Sequence, residues 1–301
     1  MPIKIFLDDC VHFLDVLSPS TVPTTPQKWH MTFLDPPFNQ GKEYNSHDDN
    51  MDDTEYWSWI WRVCARLTGK TVPGGALYFM HREKNLAKIM QAVESTGWTI
   101  QNVIMWKKKS SAVPGAFRYG KSYQPIVYAT LGDKPRTFNK LRIDPPLLVT
   151  EAYKRKNGVY LTDIWDDIRE MTSGFYAGEE AIRDPKTKKR VHKQQSPLRL
   201  LARMILTSTM PGDIVFDPFA GTGTTGIAAE WLDRQSIVVE KDMANTDVIS
   251  DRIMSQCDDK HLSGLDYEYR YTEYLKDIYP KANNMVQPQK YQRAFEMRTF
   301  E

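Results

Sequence analysis

The stretch that most constrains the fold is Asp213-Ile214-Val215-Phe216-Asp217-Pro218-Phe219-Ala220-Gly221-Thr222-Gly223-Thr224-Thr225-Gly226. It reads as an apolar strand, a loop of small residues, and the start of a helix. Gly221 and Gly223 let the backbone turn tightly and approach a ligand where any Cβ would clash. The loop amides and the helix N-terminus then face an anion or a carboxylate. Nineteen residues after Gly221, the strand Ser236–Val239 runs into Glu240, an acid placed to accept two ribose hydroxyls as in dinucleotide folds. A turn of this kind also occurs without a ligand, and the spaced acid is what points to a nucleoside cofactor. No Gly-Lys-Ser/Thr follows, which sets the loop apart from a P-loop. Asp217-Pro218 directly before the loop sets it apart from the usual nicotinamide turn.

The rest of the chain fits the same architecture. Short apolar runs at Lys4–Leu7, Met31–Leu34, Gly75–Met80, Trp98–Trp106 and Tyr123–Ala129 alternate with helical patterns at Glu55–Leu67 and Lys84–Glu94. After Ser196 come a helix Leu198–Thr209, the strand Asp213–Phe216, and helices Thr224–Trp231 and Ala244–Ser255. This βαβ rhythm predicts an α/β protein with a mostly parallel sheet covered by helices. From about 132 to 190 the rhythm fails. Prolines 135, 145, 146 and 185 punctuate a basic stretch that reads as an insertion. The expected organisation is 1–131, an insertion at 132–190, 191–260, and a tail at 261–301. The tail holds six tyrosines between Tyr267 and Tyr291 and reads either as a docking helix or as irregular chain.

Composition excludes some classes of function. At 41% hydrophobic and 26% charged residues, the chain can bury a core. No apolar run approaches the roughly 18 residues that cross a bilayer, and the first nine residues lack a signal-peptide pattern. Cys10, Cys64 and Cys257 are too few and too scattered for a disulfide framework or a zinc site. A cytoplasmic, metal-free protein is expected. The net charge of +2 is uninformative, but its distribution is not: Lys107 to Arg142 carries nine Lys/Arg against one acid. Such segregation fits a polyanion-binding face, although a solvated surface gives the same pattern.

The segment His30-Met31-Thr32-Phe33-Leu34-Asp35-Pro36-Pro37-Phe38-Asn39 carries the chemistry. Pro36 and Pro37 fix their own φ and restrict the residues before them, so Asp35 and Phe38 project from a rigid backbone. That suits a planar, poorly nucleophilic amine such as the exocyclic nitrogen of a nucleobase. Asp35 can accept one N–H and the Pro36 carbonyl the other, favouring the pyramidal nitrogen and its developing positive charge. Phe38 offers a stacking face for a base removed from its helix. Asp144-Pro145-Pro146-Leu147 lacks the aromatic and reads as a loop.

Together these motifs resemble the β group of amino-methylating DNA methyltransferases, over most of residues 3 to 256. Asp35-Pro36-Pro37-Phe38 is similar to the catalytic tetrapeptide, and Asp217-Pro218-Phe219-Ala220-Gly221-Thr222-Gly223 to the cofactor loop. Glu240 is similar to the ribose-binding acid. Ile5-Phe6-Leu7-Asp8-Asp9-Cys10 is similar to the Gly-Asp-Cys segment, with Asp8 in place of Gly. His192-Lys193-Gln194-Gln195-Ser196-Pro197 resembles the His…Gln-Lys-Pro segment, with Ser196 in place of the usual Lys. Trp106-Lys107 and Arg118…Tyr123 also have counterparts.

The resemblance implies a Rossmann-like methyltransferase sheet with circularly permuted motif order and an inserted target-recognition region. It implies S-adenosylmethionine as cofactor, held by Asp9, Asp217, Phe219, Gly221, Thr222, Gly223 and Glu240. Duplex DNA is the implied substrate, with Lys107, Lys108, Lys109, Arg118, Lys121, Arg136 and Arg142 as candidate phosphate contacts and Asn139 or Arg142 as candidate base readers. An acid at position 35 is commoner in adenine-N6 enzymes of this group, and serine in cytosine-N4 enzymes. The expected activity is adenine-N6 methylation of a flipped base. Cytosine-N4 methylation, an inactive DNA-binding protein on the same fold, and a small-molecule methyltransferase are the alternatives. No cysteine follows a proline, so a thiolate mechanism at cytosine C5 is unsupported. A homodimer, a cognate restriction endonuclease and association with the nucleoid are further expectations of the class.

Overall fold

A computed structural model describes residues 3–16, 28–41, 49–109, 113–144, 157–171, 180–183, 187–188, 190, 195–255 and 259–282. Its centre is an eight-stranded sheet. In chain order the strands are β1 (Ile3–Leu7), β2 (Trp29–Leu34), β3 (Thr71–Met80), β4 (Thr99–Lys107), β5 (Tyr123–Thr130), β8 (Ile164–Trp165), β9 (Ile214–Asp217) and β10 (Gln235–Glu240), with β6 (Arg142–Ile143) and β7 (Val159–Tyr160) forming a separate pair. The spatial order is β1-β10-β9-β2-β3-β5-β4-β8. All neighbours are parallel except at β5, which runs antiparallel to β3 and β4.

Burial follows position in the sheet. β2 and β9 lie at its middle and are almost wholly buried, as are the later residues of β3 and β5, which is the pattern of strands covered on both faces. β1, at one edge, exposes most of its residues. Alternation along β3 sends Ala76, Tyr78 and Met80 into one core and Leu77 and Phe79 into the other. The first core is roofed by helices α4 (Leu198–Ser208) and α5 (Thr224–Trp231), and the second by α1 (Cys10–Val16), α2 (Asp53–Lys70) and α3 (Leu86–Glu94). α2 is typical of the roof. Asp52 caps it by accepting from the amides of Thr54 and Glu55 at 2.9 and 3.3 Å. Tyr56, Ile60, Val63, Cys64 and Leu67 form its buried stripe.

The insertion and the tail are more ordered than their sequence suggests. Trp165 pairs with Trp106, so β8 extends the main sheet. Among the described residues, the chain beyond α6 (Met243–Ser255) forms three short helices, α7 (Asp259–Leu262), α8 (Leu265–Glu268) and α9 (Leu275–Ile278). One side chain ties these parts together. Arg203, fully buried on α4, donates to both carboxylate oxygens of Asp167, to Glu268 at 3.0 Å and to the Tyr269 hydroxyl at 2.8 Å.

The topology positions a site. β9 connects through α5 to β10 on one side, whereas β2 connects through α2 to β3 on the other. The chain therefore parts between β9 and β2, and an open α/β sheet binds ligands outside the carboxyl ends of its strands at such a switch point. Leu34, Asp217, Glu240 and Leu7 all end strands there.

Candidate active site

One cavity opens at that switch point. Asp35, Pro36 and Pro37 line it together with Asp217, Gly221 and Glu240. Residues 35 and 221, far apart in sequence, thus share a pocket because β2 and β9 are neighbours.

The glycine loop takes its shape from its own hydrogen bonds. Gly221 and Gly223 have φ of 54° and 80°, in the left-handed region that disfavours side chains. A Cβ on Gly223 would also meet Ile249 Cγ2 at 2.8 Å. Glu240 accepts from the Gly221 amide at 2.7 Å through one oxygen and from the Asp242 amide at 2.9 Å through the other. Asp217 accepts from the Phe219 amide at 2.9 Å and from the Thr225 hydroxyl at 2.5 Å. Burial pushes the carboxyl of Asp217 up to about 7, against the lowering effect of those two donors. Burial likewise raises Glu240 above the usual carboxylate range. Asp9 caps α1, accepting from the Val11 amide at 2.9 Å, and its second oxygen is 3.3 Å from Lys241 Nζ.

These residues fit a nucleoside cofactor bearing a sulfonium. The loop offers the cavity a backbone surface free of a Cβ at Gly221, whereas Gly223 faces Ile249 and does not line it. The lining carries Asp8, Asp9, Asp35, Asp217, Glu240 and Asp242 against a single lysine, Lys241, a charge balance that favours a cationic ligand. Among the described residues, no group of three or more His, Cys, Asp or Glu could hold a metal ion.

The acceptor loop is braced from outside. Ser196 Oγ lies 3.5 Å from Asp35 Oδ2, so the serine standing where the resemblance expects lysine approaches the key carboxylate. After Phe38 the chain turns at Asn39, with φ 51°. There the buried Asp49 accepts from the amides of Asn39 and Gln40 at 2.8 and 3.0 Å. The Asn39 side chain donates to the Met51 carbonyl and accepts from the Met51 amide, both at 2.8 Å.

Several sequence expectations are corrected here. The Phe38 ring does not line the cavity; it is 8% exposed and packs 4.6 Å from the His81 ring, because the Asn39 turn and Asp49 draw the chain inward. Arg136 is not beside the cavity. It pairs with Asp213 at 2.7 Å, and its amide bonds the Gly74 carbonyl, at the opposite end of the strands. Arg142 is engaged within the insertion, donating to the carbonyls of Asn157 and Gly158 while its guanidinium covers the Tyr160 ring at 4.2 Å. The Asn139 side chain is turned into the fold, donating to the carbonyls of Leu206 and Thr209 at the end of α4. Lys107 ends β4, Lys108 and Lys109 follow it, and Lys121 precedes β5. The pairing of Lys107 with Tyr123 and of Met80 with Ile126 puts these lysines at the cavity end of the sheet. Lys121 pairs there with Glu83. Between them an arm closed by the Gly115–Arg118 bridge holds Arg118, Phe117 and Tyr119 in solvent.

Sequence reasoning missed Trp59, a cavity residue whose ring meets Phe219 edge-on at 5.5 Å. Its helix is rich in Trp, and that signal reads only as core. Leu201 and Asn245 also reach the cavity. Cys10 lines it too, but burial and the neighbouring Asp9 charge push its thiol up, and burial raises Cys64 to about 12. Neither is poised as a thiolate. Cys257 lies outside the described residues.

Comparison with known proteins agrees with this geometry. A family model described as DNA methylase matches residues 29–251. The chain is 29% identical to the type II methyltransferase M.BamHI of Bacillus amyloliquefaciens over 88% of its length, and spans 60% of that relative. It is 30% identical to the DNA adenine methyltransferase YhdJ of Escherichia coli K12, over 70% of this chain and 71% of the relative. Among solved structures, the cytosine-N4-specific PvuII DNA methyltransferase superposes with a TM-score of 0.62 at 17% identity, covering 91% of this chain and 93% of that one. The M1.HpyAVI complex with S-adenosylmethionine gives 0.55 at 22% identity, covering 83% and 98%. With its Rossmann-like sheet and its cofactor loop placed after the Asp-Pro-Pro-Phe tetrapeptide, the chain belongs to the family of amino-methylating DNA methyltransferases, the N6/N4 DNA methylases, whose cofactor is S-adenosylmethionine.

Proposed function

We propose that the chain methylates the N6 of an adenine turned out of duplex DNA at a short specific sequence. The observation that carries this reading is the single cavity with an amine-accepting wall at Asp35-Pro36 and a nucleoside-accepting wall at Gly221 and Glu240. Asp9, Asp217, Phe219, Gly221, Thr222 and Glu240 hold the cofactor, which supplies an electrophilic methyl group when bound. Asp35 accepts one N–H of the target amine and the Pro36 carbonyl accepts the other. Both bonds strengthen as the nitrogen becomes tetrahedral and positive, so they favour the transition state over the ground state. The half-buried position of Asp35 makes its charge more effective than it would be in water. The aspartate at position 35 favours adenine over cytosine within the family.

The duplex lies across the carboxyl ends of the strands. Lys107, Lys108, Lys109, Arg118 and Lys121 supply phosphate contacts, and Arg136 and Arg142 do not. Because phosphate contacts set the salt dependence of affinity, Lys107→Ala and Lys108→Ala are each expected to reduce the log–log salt slope by about 1. Arg136→Gln is expected to leave that slope unchanged. Fluorescence anisotropy over a salt series makes the comparison, and equal slopes for all three variants would relocate the DNA.

The base is decided by methyl transfer from labelled S-adenosylmethionine to mixed-sequence duplex DNA, followed by digestion to nucleosides and mass analysis. N6-methyl-2′-deoxyadenosine in the digest supports the proposal, N4-methyl-2′-deoxycytidine replaces it with the sister reaction, and no incorporation rejects it.

A further inference from the structure

Pro36 and Pro37 have no amide hydrogens, so neither can anchor the middle of the Asp35 loop by donating from its own backbone. Its anchor comes from two other elements. The Tyr56 hydroxyl, on α2, donates to the Pro37 carbonyl at 2.7 Å, and the same hydroxyl is 2.9 Å from Nε2 of His81, just past β3. A phenol has one proton and a carbonyl has none. The Tyr56 proton therefore points at Pro37, and His81 must donate from Nε2. That leaves Nδ1 as the acceptor, facing the Asn85 side-chain amide at 3.3 Å. The tautomer thus follows from the network. His81 is fully buried, and burial, with the Arg82 and Lys84 charges, lowers its pKa to about 3, which keeps the ring neutral. The same imidazole packs against Phe38, so one side chain supports the loop at two consecutive residues.

We propose that Asn85, His81 and Tyr56 form a one-directional hydrogen-bond relay that positions the Asp35-Pro36-Pro37-Phe38 loop for methyl transfer. All three are positioning residues acting through the loop. The proposal rests on reading Asp35 and the Pro36 carbonyl as the clamp on the amine. With the Pro37 carbonyl held and both proline φ angles fixed, the Pro36 carbonyl keeps its aim. Loss of the relay lets it drift by fractions of an ångström, to which a transfer geometry is sensitive.

Tyr56→Phe keeps the ring and removes the donor. It is expected to lower kcat about tenfold, and His81→Leu by a similar factor. Dissociation constants for S-adenosylmethionine and for a duplex oligonucleotide should stay within about twofold of wild type, a split between kcat and binding that general destabilisation would not produce. The double variant should be no slower than either single one, because one chain is broken only once. His81→Gln, whose amide donates from near the Nε2 position, should restore kcat to within about threefold of wild type. If His81→Leu does not fold, Tyr56→Phe beside His81→Gln carries the test. A kcat for Tyr56→Phe within about twofold of wild type, a loss confined to binding, or additive losses would overturn the relay. Asp35→Ala assayed in parallel separates the two ideas. An active Asp35→Ala removes the clamp reading itself, whereas an inactive Asp35→Ala beside a fully active Tyr56→Phe removes only the relay.

Discussion

Asp35→Ala is expected to lower the rate of methyl transfer by about 10³-fold, in the range of losses seen when one preorganised partner of a developing charge is removed. The loss should fall on kcat and kcat/KM together, because the carboxylate meets the amine most strongly when that nitrogen becomes positive. Cofactor affinity should change little, since the proposed cofactor contacts fall to Glu240 and the glycine bend, which Asp35 does not hold in place. Asp35→Asn keeps an acceptor oxygen and the Ser196 neighbour but loses the charge, and its rate should lie between wild type and the alanine variant. Single-turnover transfer of a labelled methyl group, with calorimetric titration of S-adenosylmethionine, measures both quantities. A rate for Asp35→Ala within about tenfold of wild type would show that the charge at this position contributes little to the transition state.

The second large effect concerns stability. Arg203→Met is expected to cost about 3 kcal/mol, since it strips a fully buried guanidinium from Asp167, Glu268 and Tyr269, leaving Glu268 with Arg199 alone and Asp167 without its Arg203 partner. Asp167 is partly open to solvent, which holds the figure at the low end for a broken buried pair. The urea midpoint should fall, and residues 259–282 should become the first protease-sensitive region, because Arg203 joins α4 to both the insertion and the tail. The sign with pH follows from Asp167. Burial raises its carboxyl, but the Arg203 hydrogen bond and charge outweigh burial and hold it below the ordinary value. Its contribution is therefore complete above the unfolded-state pKa and fades as pH falls through the lower folded value. That acid-limb loss should be absent in Arg203→Met. Urea midpoints equal to wild type at neutral pH would show the network to be energetically idle.

Much of the fold is legible because it is written in local periods. The apolar runs and the helical stripe of α2 identify their elements within a few residues, and only boundaries move, as where Glu55–Leu67 extends to Asp53–Lys70. Strand β8 and the pair β6–β7 are two residues long each and have no period to detect. Lys107 stands at the cavity end of the sheet, whereas Arg136 pairs away from it with Asp213, which a count along the chain cannot see across 77 positions. Asp49 reads as one acid in a charged run, yet it is buried beneath Asn39 and Gln40.

Local residue types mark the strand ends without any structure: an acid stiffened by two prolines, a glycine bend, and a second acid nineteen residues beyond Gly221. Each depends on backbone restrictions and residue types that act over a few positions. That β2 and β9 lie side by side, that Phe38 turns inward onto His81 and that Tyr56 reaches the Pro37 carbonyl are visible in the folded chain alone. Those outcomes depend on which distant surfaces pack together, and packing is settled by the complementarity of whole faces, which no local stretch of chain contains.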